Sequence, residues 1–140
     1  MAFYGSSEWM ESFKNTLNSD DEFAKEAGKF SGTFLSVTEI KGLPRPIYVW
    51  FELDKGQMVE WEHISKPEDR KAEFVMTGDY YTWKDICLGK QDPLKAVMSG
   101  RLKTKGNKLK LLKQTKPSMA MIKVMQKLST EFIDDKFKTQ

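Results

Sequence analysis

Few side chains in this sequence of 140 residues carry groups that enzymes use for acid–base, nucleophilic or metal chemistry. It contains one histidine, His63, and one cysteine, Cys87. A lone histidine removes most hydrolase constellations that depend on a histidine base. A lone cysteine cannot form an internal disulfide, and no Cys/His cluster is present for zinc. We therefore expect no catalytic residues, no metal site and no cofactor.

Two glutamates are the remaining candidates for acid–base chemistry. Glu60 and Glu62 alternate along one stretch and would lie on the same face of a strand, where paired carboxylates can act in catalysis. The ordinary explanation of such a pair is a solvated strand face. The sequence also has neither Gly-rich phosphate-binding motif and no GxSxG nucleophile elbow. These observations predict that the protein is not an enzyme.

The periodicity of apolar residues indicates how the chain is organised. Alternating patterns predict strands, and three-to-four-residue spacing predicts helices, with capping boxes at Ser19–Glu22 and Thr82–Asp85 and a proline start at Pro117. No internal repeat or linker divides the chain, so one domain spans 1–140. Because helices precede and follow a block of strands joined by short turns, the pattern predicts an α+β fold with a mostly antiparallel sheet. The predicted helices cover 7–18, 20–28, 82–89, 93–99, 108–114 and 117–134, and the predicted strands cover 32–40, 47–53, 58–64, 71–77 and 101–105.

Charge is distributed unevenly along the chain. The formal net charge is +3, yet residues 100–140 carry a net +8 and residues 1–99 a net −5. The densest basic run, from Arg101 to Lys116, could attract nucleic acid, lipid headgroups or a ligand that carries phosphate. The ordinary explanation is a solvated strand edge and helix face. The run interleaves lysines with leucines rather than with exposed aromatics or glycine, which makes nucleic acid an improbable partner.

The apolar residues are more distinctive than the polar ones. Eight methionines are many for this length, and three of them, Met119, Met121 and Met125, fall in the last predicted helix. Methionine is flexible and polarizable and lines adaptable hydrophobic sites, although an ordinary core helix would also explain the cluster. The predicted strand 47–53 is apolar on both faces. Together these two elements offer apolar surfaces that could enclose a cavity.

The segment from Asp79 to Asn107 resembles the sterol carrier protein 2 (SCP2) family, and in particular its stand-alone prokaryotic members. The resemblance rests on an acidic residue, a short helix ending in Gly89-Lys90, the pair Asp92-Pro93, a small residue, and the run Gly100-Arg101-Leu102-Lys103-Thr104-Lys105-Gly106-Asn107. Upstream, the strand that ends at Leu53-Asp54-Lys55-Gly56 is also similar to that family. The resemblance covers about residues 20–128.

The resemblance implies a five-stranded sheet covered by helices, with an apolar tunnel between them and no catalytic residues. The implied function is non-enzymatic binding and transfer of a fatty acid, acyl-CoA, phospholipid or sterol-like lipid. An accessory subunit that presents an apolar intermediate to an enzyme and a basic nucleic-acid binder remain alternatives. The sequence leaves open which face of the strands meets the tunnel, and the lining candidates are Trp50, Trp61, Phe74, Met76, Met98, Leu112, Met119, Ile122 and Met125.

Lysines in the basic run are candidates for transient contact with a membrane surface or an anionic headgroup. They are Lys103, Lys105 and Lys108. No apolar stretch is long enough to span a bilayer, and the first residues show no secretory signal. The chain ends in Lys138-Thr139-Gln140 rather than in the peroxisomal Ser-Lys-Leu signal of animal carriers. We therefore expect a cytoplasmic location.

Overall fold

The computed structural model describes residues 2–106, 108–113 and 115–133, without the side chains at 108, 111 and 112. A short 3-10 turn at Pro67–Asp69 follows the fourth strand. In chain order the elements are β1 (Ala2–Phe3), α1 (Ser7–Ser19), α2 (Asp21–Ala27), β2 (Gly32–Glu39), β3 (Ile47–Asp54), β4 (Gln57–Ile64), β5 (Phe74–Asp79), α3 (Tyr80–Cys87), α4 (Pro93–Ser99), β6 (Leu102–Lys105), α5 (Lys108–Lys113), α6 (Thr115–Lys127) and β7 (Thr130–Glu131).

Five strands form the central sheet in the order β4-β3-β2-β5-β6. Its neighbouring pairs are antiparallel except for β2 and β5, which run parallel with Phe34 opposite Phe74. Parallel neighbours need a long connection, and here the chain passes through the β3–β4 hairpin before it returns to the other side of β2. The prediction of an α+β fold with a mostly antiparallel, five-stranded sheet is confirmed.

The tight hairpin between β3 and β4 follows from two residues. Lys55 has φ of 50° and Gly56 has φ of 77°. Two consecutive positive φ values define the type I′ turn, whose twist matches that of the flanking strands. The register that this turn sets places Val49, Phe51 and Leu53 on one side of the sheet and Trp50 on the other.

One side of the sheet, the helix-covered face, carries most of the core. There α1 buries the apolar stripe that its spacing predicts, namely Trp9, Met10, Phe13 and Leu17. The methionine-rich α6 buries Ala120, Met121, Ile122, Val124 and Met125. Fully burying one such large side chain contributes about 1.5–3 kcal/mol, so these two stripes anchor both helices over the sheet.

The other side of the sheet, the open face, holds a small separate cluster. It consists of Leu35, Val37 and Trp50. The Arg70 guanidinium lies 3.5 Å from the centroid of the Trp50 ring, and Trp50 Nε1 donates a hydrogen bond of 3.1 Å to the Lys71 carbonyl. The loop that follows β4 therefore covers this cluster with polar groups.

Several details of the sequence prediction are wrong. The last helix begins at Thr115, two residues before the predicted proline start, and β5 covers Phe74–Asp79 rather than 71–77. The last helix ends at Lys127 rather than near Asp134, because Thr130 and Glu131 pair in parallel with Ala2 and Phe3. The N-cap of α2 is Asp20, whose carboxylate accepts from the Phe23 N–H. Asp79 similarly caps α3, with its carboxylate accepting from the Thr82 N–H. The strand pairing joins the two ends of the described chain, and local periodicity carries no signal for it.

Candidate functional site

A small inner cavity of about 60 Å³ lies between the helix-covered face and helices α1 and α6. Its walls come from the centre of the sheet, from both helices and from the segment just after β1. The lining is apolar apart from a few hydroxyl groups and backbone atoms. The lining residues are Tyr4, Gly5, Trp9, Met10, Phe13, Ser36, Thr38, Ile47, Val49, Phe51, Met76, Trp83, Ser118, Met121, Ile122 and Met125.

A larger outer pocket of about 360 Å³ lies beside it, between β5, β6, α4 and α6, and opens to solvent. Its volume is within the range of roughly 300–1,000 Å³ that is typical of small-molecule sites. The lining residues are Phe34, Phe74, Val75, Met76, Pro93, Leu94, Val97, Leu102, Thr104, Lys105, Thr115, Ser118, Met119, Met121 and Ile122.

The inner cavity and the outer pocket share four lining residues, Met76, Ser118, Met121 and Ile122. Two of the four are methionines, whose unbranched side chains change rotamer at little cost. A rearrangement of these shared side chains would join the two spaces into one apolar channel between the surface and the centre of the sheet.

A hollow of about 270 Å³ between α2 and α6 has a different character. Its walls include Glu22, Glu26, Lys116 and Lys123, and the Lys127 ammonium forms an ion pair of 2.7 Å with the Asp20 carboxylate beside it. Charged walls of this kind hold water rather than a hydrocarbon chain. The inner cavity and the outer pocket are therefore the candidate site.

The structure brings five of the nine lining candidates to this site. Phe74 and Met119 line the outer pocket, Met125 lines the inner cavity, and Met76 and Ile122 line both.

The other four lie elsewhere. Trp50 is in the cluster on the open face, and Trp61 lies at the edge of the helix-covered face, where its Nε1 donates to Glu11. Met98 is 79% exposed on the outer side of α4. The side chain of Leu112 is outside the described part of the chain.

The sequence prediction did not include several residues that line the inner cavity, and Tyr4, Ser36 and Thr38 are the most informative. Ser36 and Thr38 alternate with Leu35 and Val37 along β2, so that the central strand presents small polar side chains to the helix-covered face. Thr38 is 4% exposed. Ser36 and Thr38, two hydroxyl-bearing residues that share a face with the buried Phe34, are a sequence signal that could have located this cavity.

The interior of the site disfavours charge. Burial raises the pKa of the Tyr4 hydroxyl well above its usual range, although hydrogen bonds to Thr38 and Ser36 oppose that shift. Cys87 lines neither space, and burial raises the pKa of its thiol to about 12. Both groups are therefore neutral at physiological pH, and the thiol is not the reactive thiolate.

The candidate acid–base groups have structural partners. His63 Nε2 is 2.7 Å from the Gly5 carbonyl oxygen. Arg70 Nη1 lies 2.7 Å from Glu60 Oε1 and 2.9 Å from Glu62 Oε2, which raises the pKa of the guanidinium. Among the residues that the structure describes, no group of three His, Cys, Asp or Glu side chains could hold a metal ion.

Basic and apolar side chains lie on the two elements that flank the outer pocket. On β6, Lys105 is exposed and is part of the pocket wall, whereas Lys103 is exposed beside its register partner Thr77 on the open face. Lys108 was the third candidate lysine, and its side chain is outside the described part of the chain. On the neighbouring α4, Leu94 and Met98 are exposed. No helix in the described ranges is long and apolar enough to cross a membrane.

Comparison of the chain with models of known protein families identifies a match to one family. Residues 13–117 match the model of the SCP-2 sterol transfer family. This range contains β2 to β6 and the Asp79–Asn107 segment, together with part of the wall of both cavities. No curated protein sequence matches the chain.

Solved structures with the same fold include a crystal structure of sterol carrier protein 2, with a TM-score of 0.80 and 23% identity over 89% of this chain and 98% of that one. A hypothetical protein from Thermus thermophilus, described as possibly a sterol carrier protein, has a TM-score of 0.78 and 22% sequence identity over 90% of each chain. Sterol carrier protein 2 from Yarrowia lipolytica in its apo form has a TM-score of 0.57 and 19% sequence identity over 78% of this chain and 92% of that one. At these identities the likeness establishes the fold, and function must be argued from the site.

Proposed function

Because the family model matches residues 13–117, the chain belongs to the SCP-2 sterol transfer family. We propose that it binds one apolar lipid in a channel formed by the outer pocket and the inner cavity. Family and fold support lipid binding and transfer in general. The finer proposal is that this chain carries a fatty acid, acyl-CoA, phospholipid or sterol-like lipid without chemically changing it.

The observation that carries the proposal is the apolar lining of two adjoining spaces that share four lining residues. A hydrocarbon chain that moves from water into such a channel gains about 0.8 kcal/mol for each buried CH₂ group. Part of this gain offsets the ordering of the ligand and of the methionine side chains. The balance gives reversible binding, which a carrier needs in order to release its ligand.

Transfer between membranes also requires that the mouth of the channel meet a lipid surface. Leu94 and Met98 on α4 can enter the interfacial region, while Lys103 and Lys105 attract anionic headgroups, each contributing on the order of 1 kcal/mol near such a surface. In this proposal the contact is transient, and it aligns the mouth with the membrane. The cytoplasmic location expected from the sequence stays a prediction.

The two alternatives differ from lipid transfer in measurable ways. An accessory subunit would hold its ligand until a partner enzyme removes it, so that exchange with vesicles would be slow. A basic nucleic-acid binder would show affinity for DNA or RNA that falls steeply with salt concentration.

The test is whether the purified protein holds lipid inside the channel. Native mass spectrometry of the freshly purified protein should show a bound apolar ligand, and the tryptophan fluorescence of delipidated protein should change when dodecan-1-ol is added, since Trp9 and Trp83 line the inner cavity. A Met121→Trp variant should lose the added ligand, because Met121 belongs to both spaces. Full binding by that variant, in a folded state, would contradict the proposed site.

A further inference from the structure

Three hydroxyl groups meet in the wall of the inner cavity. Tyr4, Ser36 and Thr38 each carry a hydroxyl group and lie close enough together for Thr38 and Ser36 to lower the pKa of Tyr4 against the effect of burial. All three residues line the inner cavity, and none of them lines the outer pocket. This hydroxyl trio is therefore confined to the end of the channel that lies away from the mouth.

The sequence positions of the trio explain how it forms. Ser36 and Thr38 are two residues apart on the central strand, so both side chains lie on the helix-covered face. Tyr4 reaches them because β1 pairs with β7 and the Tyr4 N–H donates a hydrogen bond of 2.9 Å to the Glu131 carbonyl. The trio thus joins the N-terminal segment to the centre of the sheet.

Hydrogen-bond counting leaves the trio with capacity for one more partner. Three hydroxyl groups carry three protons, and hydrogen bonds from Tyr4 to both of its neighbours would use at most two of them. The third proton and several oxygen lone pairs can still bind a ligand atom. An oxygen that accepts, or both accepts and donates, matches this arrangement.

The size of the inner cavity limits what reaches the trio. A volume of about 60 Å³ exceeds the roughly 10–15 Å³ that one water molecule needs, but it is far smaller than a lipid. Only an oxygen with its adjoining carbon atoms fits, while the rest of the ligand occupies the outer pocket.

The electrostatic surroundings select a neutral oxygen. The residues that line the inner cavity include no lysine or arginine. Burying a carboxylate without a cation is strongly unfavourable, so a fatty-acid headgroup would stay at the mouth, where Lys105 lies. The raised pKa of Tyr4 reflects the same penalty on negative charge.

We propose that the hydroxyl trio Tyr4–Ser36–Thr38 is a recognition site for the uncharged hydroxyl or carbonyl oxygen of a lipid that enters the channel oxygen first. This inference rests on the proposed function and specifies the ligand class and its orientation. A lipid with a neutral oxygen at one end is bound at both the trio and the outer pocket. A lipid with a charged end is bound in the opposite orientation, through its hydrocarbon tail.

The experiment compares four ligands that share one hydrocarbon chain: dodecan-1-ol, dodecan-2-one, dodecanoate and dodecane, delivered from cyclodextrin and followed by tryptophan fluorescence. Thr38→Val removes one hydroxyl at nearly constant shape, and Tyr4→Phe removes another. Each variant should weaken binding of the alcohol and the ketone about fivefold, which is the usual worth of one hydrogen bond. Binding of dodecane and dodecanoate should change by less than about twofold, because neither places a polar atom at the trio.

Thr77→Val is the matched control, because Thr77 lies on the open face of the same sheet, opposite Val37. It should leave all four affinities unchanged. If Thr38→Val does not fold, as judged by its thermal transition, Tyr4→Phe and Ser36→Ala provide the same comparison.

The possible failures are distinguishable. If the trio variants lost affinity for dodecane and dodecan-1-ol by equal factors, or lost none for either, the trio would be overturned as a recognition site. The proposal that the channel binds lipid would still stand. Failure of all four ligands to bind wild-type protein would overturn the proposed function, and the inference with it.

Discussion

The two faces of the central sheet both carry buried aromatic and aliphatic side chains, but the spaces beside them differ in character. The hollow on the open face, of about 310 Å³, has Glu68, Arg70 and Lys71 in its wall. On the open face, Trp50 is 3% exposed and is covered by the Arg70 guanidinium at 3.5 Å. On the helix-covered face, α1, α4 and α6 lie over the inner cavity and the outer pocket, which are lined by methionines and small hydroxyl residues. The difference shows that apolar sequence predicts burial, whereas a site for a hydrocarbon chain also needs unfilled volume with apolar walls.

The largest expected effect is a loss of stability, and it tests whether the open face contributes only to packing and not to binding. Trp50→Ala should lower the free energy of unfolding by about 3–5 kcal/mol, because it removes a buried ring and the hydrogen bond to Lys71. Lipid binding per folded molecule should not change. Urea unfolding and ligand titration on the same sample provide both values, and a loss of binding in folded protein would show that the two faces are coupled.

The next effect tests the helix-covered face as a binding site. Met119→Trp should weaken dodecan-1-ol binding at least about tenfold by filling the outer pocket, of which Met119 is a partly exposed wall. Its stability should change by less than about 1 kcal/mol, because overpacking is costly only where no free volume exists. Met125→Trp in the inner cavity should also block binding.

Met98→Trp is the control for this prediction, since Met98 is 79% exposed and lines neither space. A denaturation midpoint that falls sharply for Met119→Trp while binding persists would mean that the α6 methionines are ordinary core.

A smaller effect concerns the mouth of the channel. Replacing Lys103 and Lys105 together with Glu should slow ligand transfer to vesicles that contain anionic lipid by severalfold, because surface charges mainly change encounter rates. Equilibrium binding of the neutral dodecan-1-ol should remain as in wild type. Lys29→Glu with Lys41→Glu changes the net charge equally at exposed sites in other loops. Equal slowing in that control would indicate an effect of total charge rather than of the mouth.

The smallest effect concerns the ion pair between Lys127 on α6 and Asp20, the N-cap of α2. The hydrogen bond from Lys127 and then that from the Phe23 N–H lower the pKa of Asp20. A folded pKa below the unfolded value gives stability that is complete above the unfolded pKa and is lost as pH falls through the folded one. Asp20→Asn should therefore have a lower urea midpoint than wild type at about pH 6, and the two should converge towards about pH 3. A pH-independent difference would indicate that the charge contributes nothing.

Elements set by local pattern could be predicted from the sequence, and so could much of the wall formed by α6. The alternation in β3 and the spacing in α1 define their buried faces, and Met119, Ile122 and Met125 follow from helical periodicity. Trp50 was assigned to the channel because β3 is apolar on both faces. Which face the helices cover depends on the parallel β2–β5 pairing, a contact between residues 40 apart in sequence.

The hydroxyl trio could not be predicted for a similar reason. Tyr4 enters the cavity through the pairing of Ala2 with Thr130 and Phe3 with Glu131, which joins the two ends of the described chain. Such pairing has no periodicity within either segment. Met98 is a lining candidate as one of the eight methionines, but α4 buries Ala96 and leaves Met98 in solvent.

The most direct test of the channel is an NMR titration of protein with ¹³C-labelled methionine methyl groups. Addition of dodecan-1-ol should shift the methyl signals of Met76, Met119, Met121 and Met125, which line the two spaces. The signals of Met98, which is exposed, and Met58, which is buried outside both linings, should stay in place. Shifts at Met98 or Met58 with no change at the four lining methionines would contradict the account.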